Sequence, residues 1–206
     1  DDYFYATITE VGEGYVQTSE KTKVPTTGWR YLINQTVFDF NNNSSTGITP
    51  IDTIPVFFGV FFTNCAVYGV VGGTTAAVKI IYCVFHDMQK PVSATEYMSI
   101  TESAVIASRT NALTLGLTWG SGRVQNTIIA AATKGSISAA ICAGGDVYYP
   151  NAATISVSYC GIFNYVYALY TRLGSCKISA NSTHIASSCT YGAYGYNITL
   201  TNCTNN

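Results

Sequence analysis

Residues 54–85 read IPVFFGVFFTNCAVYGVVGGTTAAVKIIYCVF, and the way this stretch pairs decides the fold. The run from Ile54 to Val71 is too long and too apolar for one half-buried strand. It divides into two near Gly59 or Asn64. Gly72-Gly73 then reads as a turn, with Ala76 to Phe85 returning as a hairpin partner. The same texture extends both ways. Trp29 to Phe40 alternates, Asn41 to Gly47 is a polar loop, and Ala112–Trp119, Arg123–Thr133 and Ser136–Ala143 follow. ATISVSYC, FNYVYALYTRL, CKISA, IASSCTY and YNITLTNC complete the chain. Roughly a dozen short strands with turn signals about every 8–12 residues mean an all-β sandwich or barrel. Ser93-Ala-Thr-Glu96 matches a capping box and allows a short helix within 93–109, although the Thr, Ser, Ile and Val content there favours strands or turns. No sequence repeat and no boundary after Pro25 is evident.

The opening stretch DDYFYATITE, Asp1 to Glu10, is unusually apolar for a chain end. Phe4, Ala6 and Ile8 share one face of its alternation; Tyr3, Tyr5, Thr7 and Thr9 share the other. Two glycines and several charges follow in VGEGYVQTSEKTK. An apolar strand on such a leash either pairs at home or docks into a neighbour. In the second case Phe4, Ala6 and Ile8 point into the acceptor's core.

Of 206 residues only 10% are charged, and the formal net charge is −1. Eight charges (Asp1, Asp2, Glu10, Glu13, Glu20, Lys21, Lys23, Arg30) fall within the first 30 residues. Without a basic run the composition argues against nucleic acid. So little ionic stabilisation suits an acidic medium, where carboxylates protonate. The alternative is a surface solubilised by something other than charge. The Ala-rich stretch Thr127 to Ala143 is broken by Lys134 and Gly135, so no membrane span is expected. The chain opens on an acidic residue without a start Met, which suggests a secreted protein after signal-peptide removal.

Seven cysteines without C-x-x-C, and two distant histidines (His86 and His184), argue against a metal site. Flanking turns suggest Cys65–Cys83, Cys142–Cys160 and Cys176–Cys189 as disulfides with Cys203 left over; other pairings such as Cys189–Cys203 stay open. Six sequons begin at Asn34, Asn42, Asn43, Asn181, Asn197 and Asn202. Covalent N-glycans there would solubilise an uncharged surface, and no other cofactor is expected. No catalytic motif is present, and the expectation is a non-enzyme. Glu96 with Glu102 is the carboxylate pair a β-jelly-roll glycosidase would need, set against solvated or structural roles. FNYVYALY and TYGAYGY offer either a sugar-stacking face or a covered sheet. Lys79 interrupts AAVKIIYCVF; it points to solvent or, if buried, becomes an amine nucleophile for an isopeptide bond, with Lys21 and Lys23 as rivals on the leash.

The strand DDYFYATIT, the leash VGEGYVQ and a Cys-containing, sequon-rich β body of this size resemble the subunit of archaeal thread filaments. These are thin, glycosylated surface filaments of thermoacidophilic archaea. The resemblance implies an Ig-like or pilin-like β-sandwich head (25–206) behind an N-terminal donor strand and linker (1–24). It implies a head-to-tail homopolymer built by donor-strand complementation, with N-glycans and inter-subunit isopeptide bonds. The expected function is an extracellular filament subunit in adhesion to surfaces or other cells and in biofilm. A secreted monomeric carbohydrate-binding module is the alternative, and a glycosidase the third.

Overall fold

A computed structural model describes residues 8–12, 15–18, 36–43, 46–48, 56–71, 77–107, 113–135, 138–144 and 152–205. The chain divides into two compact units, Asp1–Tyr31 and Leu32–Asn206. In the first, β1 (Ile8–Gly12) pairs antiparallel with β2 (Tyr15–Thr18). Part of the expected leash is therefore strand. Tyr3, Phe4, Tyr5 and Ala6, and with them the register expected of a donor strand, lie outside the described residues. So do Lys21 and Lys23.

The second unit is a parallel β-solenoid of about six turns. It begins with β3 (Thr36–Asn43) and β4 (Thr46–Ile48). Each following coil then adds segments to three faces in a fixed order. The first coil is β5 (Val56–Phe58) and β6 (Val60–Val71), and the second is β7 (Ala77–Ile81) and β8 (Val84–Ala94). Both β6 and β8 bend and serve the second and third faces together. The third coil is β9 (Tyr97–Thr101), β10 (Ala104–Ala107) and β11 (Leu113–Leu117). The fourth is β12 (Gly120–Gln125), β13 (Ile128–Ala131) and β14 (Ala139–Ala143). The fifth is β15 (Ala153–Ser158), β16 (Gly161–Phe163) and β17 (Tyr167–Thr171). The sixth is β18 (Lys177–Asn181), β19 (His184–Ile185) and β20 (Tyr191–Tyr194). A partial coil of β21 (Ile198–Thr201) and β22 (Thr204–Asn205) ends the described chain.

The Ig-like sandwich is thus overturned. β5 lies parallel to β7, with Val56 opposite Lys79, and β6 lies parallel to β8, with Phe61 opposite Val84. The segments flanking Gly72-Gly73 are successive coils, not a hairpin. Alternation of side chains is the same in either arrangement, so it does not separate them. The sandwich groove that a donor strand would fill is absent with the sandwich.

What turns the chain is a one-residue corner between the first and second faces. Gly59, Tyr82, Glu102, Asn126, Tyr159, Ser182 and Asn202 each adopt a left-handed conformation, with φ between 49° and 64°. For a non-glycine residue this costs roughly 1–2 kcal/mol, offset by hydrogen bonds. The first six corner N–H groups find the next coil: Gly59 donates to the Ile81 carbonyl, Tyr82 to Thr101, Glu102 to Gln125, Asn126 to Ser158, Tyr159 to Asn181 and Ser182 to Thr201. The following residue points inward and is often small and polar. Ser103 Oγ donates to the Thr101 carbonyl at 2.8 Å, Thr127 Oγ1 to Gln125 at 2.9 Å and Thr183 Oγ1 to Asn181 at 3.1 Å. Cys83 and Cys160 do the same through sulfur, both at 3.3 Å. These side chains are buried yet satisfied.

Inside, residues stack coil on coil. Ile80, Ile100, Val124 and Val157 form one first-face column, and Met98, Gly122, Ile155 and Ile178 the next. Phe62 stacks on Phe85 at 4.7 Å across one coil step. Tyr165 is wholly buried, and its hydroxyl is 2.8 Å from Thr114 Oγ1. The capping box at Ser93 starts no helix: β8 runs through Ser93, and Thr95-Glu96 forms the bend into β9. Among the described residues no helix is long and apolar enough to cross a membrane.

Gly120 opens β12 one coil on from the Thr95-Glu96 bend, with φ of 84°, where a Cβ would run into the Glu96 carbonyl oxygen. Gly120→Ala is expected to cost at least roughly 2 kcal/mol, which for a chain of this size lowers the thermal midpoint by about 4–8 °C. An unchanged melting curve would contradict the backbone approach described.

Candidate tyrosine platform

Two stretches with the pattern Tyr-x-x-Tyr stand one coil apart on the third face. In β17, Ala168 and Leu169 are fully buried, while Tyr167 and Tyr170 are partly exposed. In β20, Tyr191 and Tyr194 are each 50% exposed. The parallel register sets Tyr167 beside Tyr191 and Tyr170 beside Tyr194. Tyr167 stacks on Tyr191 at 5.5 Å and on Tyr194 at 4.7 Å, and Tyr170 lies 5.4 Å from Tyr167. Tyr170 and Tyr194 stand 5.9 Å apart at 34°. The result is a contiguous group of four rings, with phenol groups available for hydrogen bonding.

The platform is held from its C-terminal side. Gly195 has φ of 115° and lies so close to Thr171 that a Cβ would meet the Thr171 carbonyl oxygen. The Tyr196 N–H donates to Thr171 Oγ1 at 2.5 Å, and the Thr171 hydroxyl donates to the Tyr196 carbonyl at the same distance. The strand therefore turns away immediately after Tyr194, with Tyr196 58% exposed beside it. FNYVYALY and TYGAYGY are indeed brought together, but Tyr165 goes to the interior and only four tyrosines form the platform. The sequence signal that separates them is the repeated Tyr-x-x-Tyr spacing.

The other candidates are dispersed. Glu96 and Glu102 occupy the two ends of β9. Six residue steps along the strand separate them by about 20 Å, beyond the roughly 5–9.5 Å that glycosidase carboxylates use. Glu102 Oε1 accepts instead from Asn126 Nδ2 at 2.5 Å. His86 stacks on Phe61 in the second coil, and His184 contacts Thr204 Oγ1 at 3.0 Å four coils on. No group of metal-binding side chains occurs among the described residues. Lys79 is exposed on the first face, so the burial that would neutralise its amine for isopeptide formation is missing.

All seven cysteines are free thiols. The expected pairs fall at different corners of the coil. Cys65 is where β6 bends and Cys83 is at a first-to-second-face corner. Cys142 lies on the third face and Cys160 at the corner; Cys176 precedes β18 and Cys189 precedes β20. Cys83, Cys160 and Cys203 share one corner column, but Ser103 and Thr127, then Thr183, stand between them. Two coil steps of about 4.8 Å each exceed the reach of a disulfide. Burial pushes the thiols of Cys142 and Cys160 up to about 11, so both stay protonated at neutral pH.

Of the sequons, Asn34 lies outside the described residues, and Asn42 and Asn43 are placed as backbone of β3. Asn181 and Asn202 are exposed, at the end of β18 and at the last corner. Asn197 Nδ2, the atom a glycan would take, donates to the Gly174 carbonyl at 2.5 Å. Peptide mapping of protein made in a glycosylating host should find glycan on Asn181 or Asn202 and none on Asn197. Full occupancy of Asn197 would mean that this bend is not held by its amide. Comparison with protein families, characterised proteins and solved structures gives no match for this chain.

Proposed function

We propose that the chain is a secreted β-solenoid that binds neutral glycan chains through the platform of Tyr167, Tyr170, Tyr191 and Tyr194. The observation that carries this reading is the in-register stack of four rings across two coils, half-exposed on one face. A pyranose presents an apolar C–H face above a rim of hydroxyls. A phenol ring presents apolar area with a polar tip, so the two match without charge. The charge-poor composition fits contacts made through rings and hydroxyls. Taking roughly 1 kcal/mol per ring contact, Tyr194→Ala should weaken binding about 5-fold and Tyr170→Ala with Tyr194→Ala about 30-fold. Titration with cellohexaose and laminarihexaose measures this, with the melting curve as a control for folding. No binding of either by the wild type, or equal binding by the folded double variant, would sink the reading.

The filament reading is kept as a second one, on a separate observation. From Ile178 to Asn206 the sequence carries no Lys, Arg, Asp or Glu. Leu200 continues an inward column, opposite Ala180, yet is 47% exposed. A cleft of about 190 Å³ opens there between Ile185, Leu200 and Cys203. Charge and proline are what usually protect such an edge from pairing. In this reading the strand Asp1–Glu10 of one copy adds to the β21 edge of another by β-augmentation. Such a contact is heterologous and extends into a filament, suited to adhesion or biofilm. Deleting residues 1–10 should then abolish polymers seen by negative-stain microscopy and leave a folded monomer. Polymers that persist after the deletion would refute strand donation.

A further inference from the structure

The first face differs chemically from the third. Its seven strands run in the order β21-β18-β15-β12-β9-β7-β5. Its central outward row reads Lys79, Ser99, Arg123, Ser156, Ser179 and Thr199 in strict register. Lys177 lies one outward position away, beside Ser179 on β18. Lys79, Arg123 and Lys177 are all exposed, and no carboxylate occupies an outward strand position of this face. Among the described residues, Glu96 and Glu102 flank β9 in the bends. Arg123 donates to Gln125 Oε1, and neither lysine has an acidic partner among the described residues. Three of the ten cationic residues of a nearly neutral chain thus stand on one sheet amid hydroxyls.

From this we propose that the first face binds an acidic polysaccharide lying along the solenoid axis. Its carboxylates would pair with Lys79, Arg123 and Lys177 and its hydroxyls with the Ser and Thr rows. The spacing of the cations favours this occupant. Lys79 and Arg123 are two coils apart, about 10 Å, and Lys177 is two coils beyond. Nucleic acid presents a charge about every 1.7 Å of its axis and demands denser neutralisation. A sugar acid polymer is sparser in charge and richer in hydroxyls. This inference does not depend on the tyrosine platform, which is on another face and takes a neutral ligand.

Affinity electrophoresis through gels containing polygalacturonate tests it, with neutral dextran and single-stranded DNA as parallel gels. The wild type should be retarded by polygalacturonate and not by dextran, with retardation fading as salt is raised from about 0.05 to 0.5 M. Lys79→Ser, Arg123→Ser and Lys177→Thr combined should bind about tenfold more weakly. Lys90→Ser, Lys134→Ser and Arg172→Ser combined, with the same net charge change at described positions outside the strands of this face, should bind as the wild type does. Tyr170→Ala with Tyr194→Ala should also leave this retardation intact, which separates its failure from failure of the neutral-glycan reading. Should the triple variant lose its thermal transition, Arg123→Ser alone carries the comparison and should show a partial loss. The proposal is overturned if the wild type is not retarded at low salt, if the off-face triple loses as much as the on-face one, or if DNA retards the protein as strongly as polygalacturonate.

Discussion

Everything in the second unit depends on one hydrogen-bond ladder that passes through a corner without a break. The strand N–H and C=O groups pair with the coils on either side, and the left-handed corner residue keeps its own N–H in the same series. Since a buried backbone group left unpaired costs about as much as a lost hydrogen bond, a corner that interrupted the ladder would be penalised in every coil. The small inward residue behind it completes the arrangement. A Ser, Thr or Cys fills little space and returns its hydroxyl or thiol to the carbonyl two residues back. The core columns of Ile, Val and Met then follow from register, because each coil repeats the inward and outward positions of the last.

That register is also what makes surface chemistry possible in so uncharged a chain. A residue on one strand acquires neighbours from other coils at fixed spacing, so few residues suffice to build an extended feature. Tyr-x-x-Tyr used twice yields four contiguous rings. Three cations at in-register or adjacent positions yield a sparse basic line on another face. The two faces share a core yet present different ligand chemistry, one apolar and aromatic, the other hydroxylated and cationic. Rows of side chains repeated coil after coil along a face are suited to polymers, which can touch several coils at once.

Strands, and the inward set within them, were legible in the sequence. ATISVSYC alternates, and Ala153, Ile155 and Val157 are buried as its pattern requires. The tyrosine stretches stand out by composition, but alternation does not sort them, because Ala168 and Leu169 are both buried between Tyr167 and Tyr170. Strand direction was not legible, because a hairpin and a coil return write the same alternation. The repeat is hidden in the sequence because its corner residue is Gly, Tyr, Glu, Asn, Tyr, Ser and Asn in turn, with no shared side-chain chemistry to mark it. Its spacing also varies from about 20 to 33 residues. The cysteine intervals that resemble paired hairpin arms are coil intervals instead. Cys83, Cys160 and Cys203 hold the position that Ser103, Thr127 and Thr183 hold in other coils, and they serve there as small hydrogen-bonding side chains rather than cross-links.

The orientation of the ladder has a mechanical consequence. In a solenoid the covalent chain runs around the axis while the hydrogen bonds run along it. Tension applied end to end is therefore carried by contacts between adjacent coils, in series, with no disulfide bridging any of them. The weakest junction sets the limit. On the second face, the two-residue β19 joins its neighbours through only His184 and Ile185, whereas β6 and β8 are joined along most of their length. Under load the C-terminal coils should peel first and the Phe62–Phe85 end should hold. A protein built this way resists shear across its faces far better than stretching along its length.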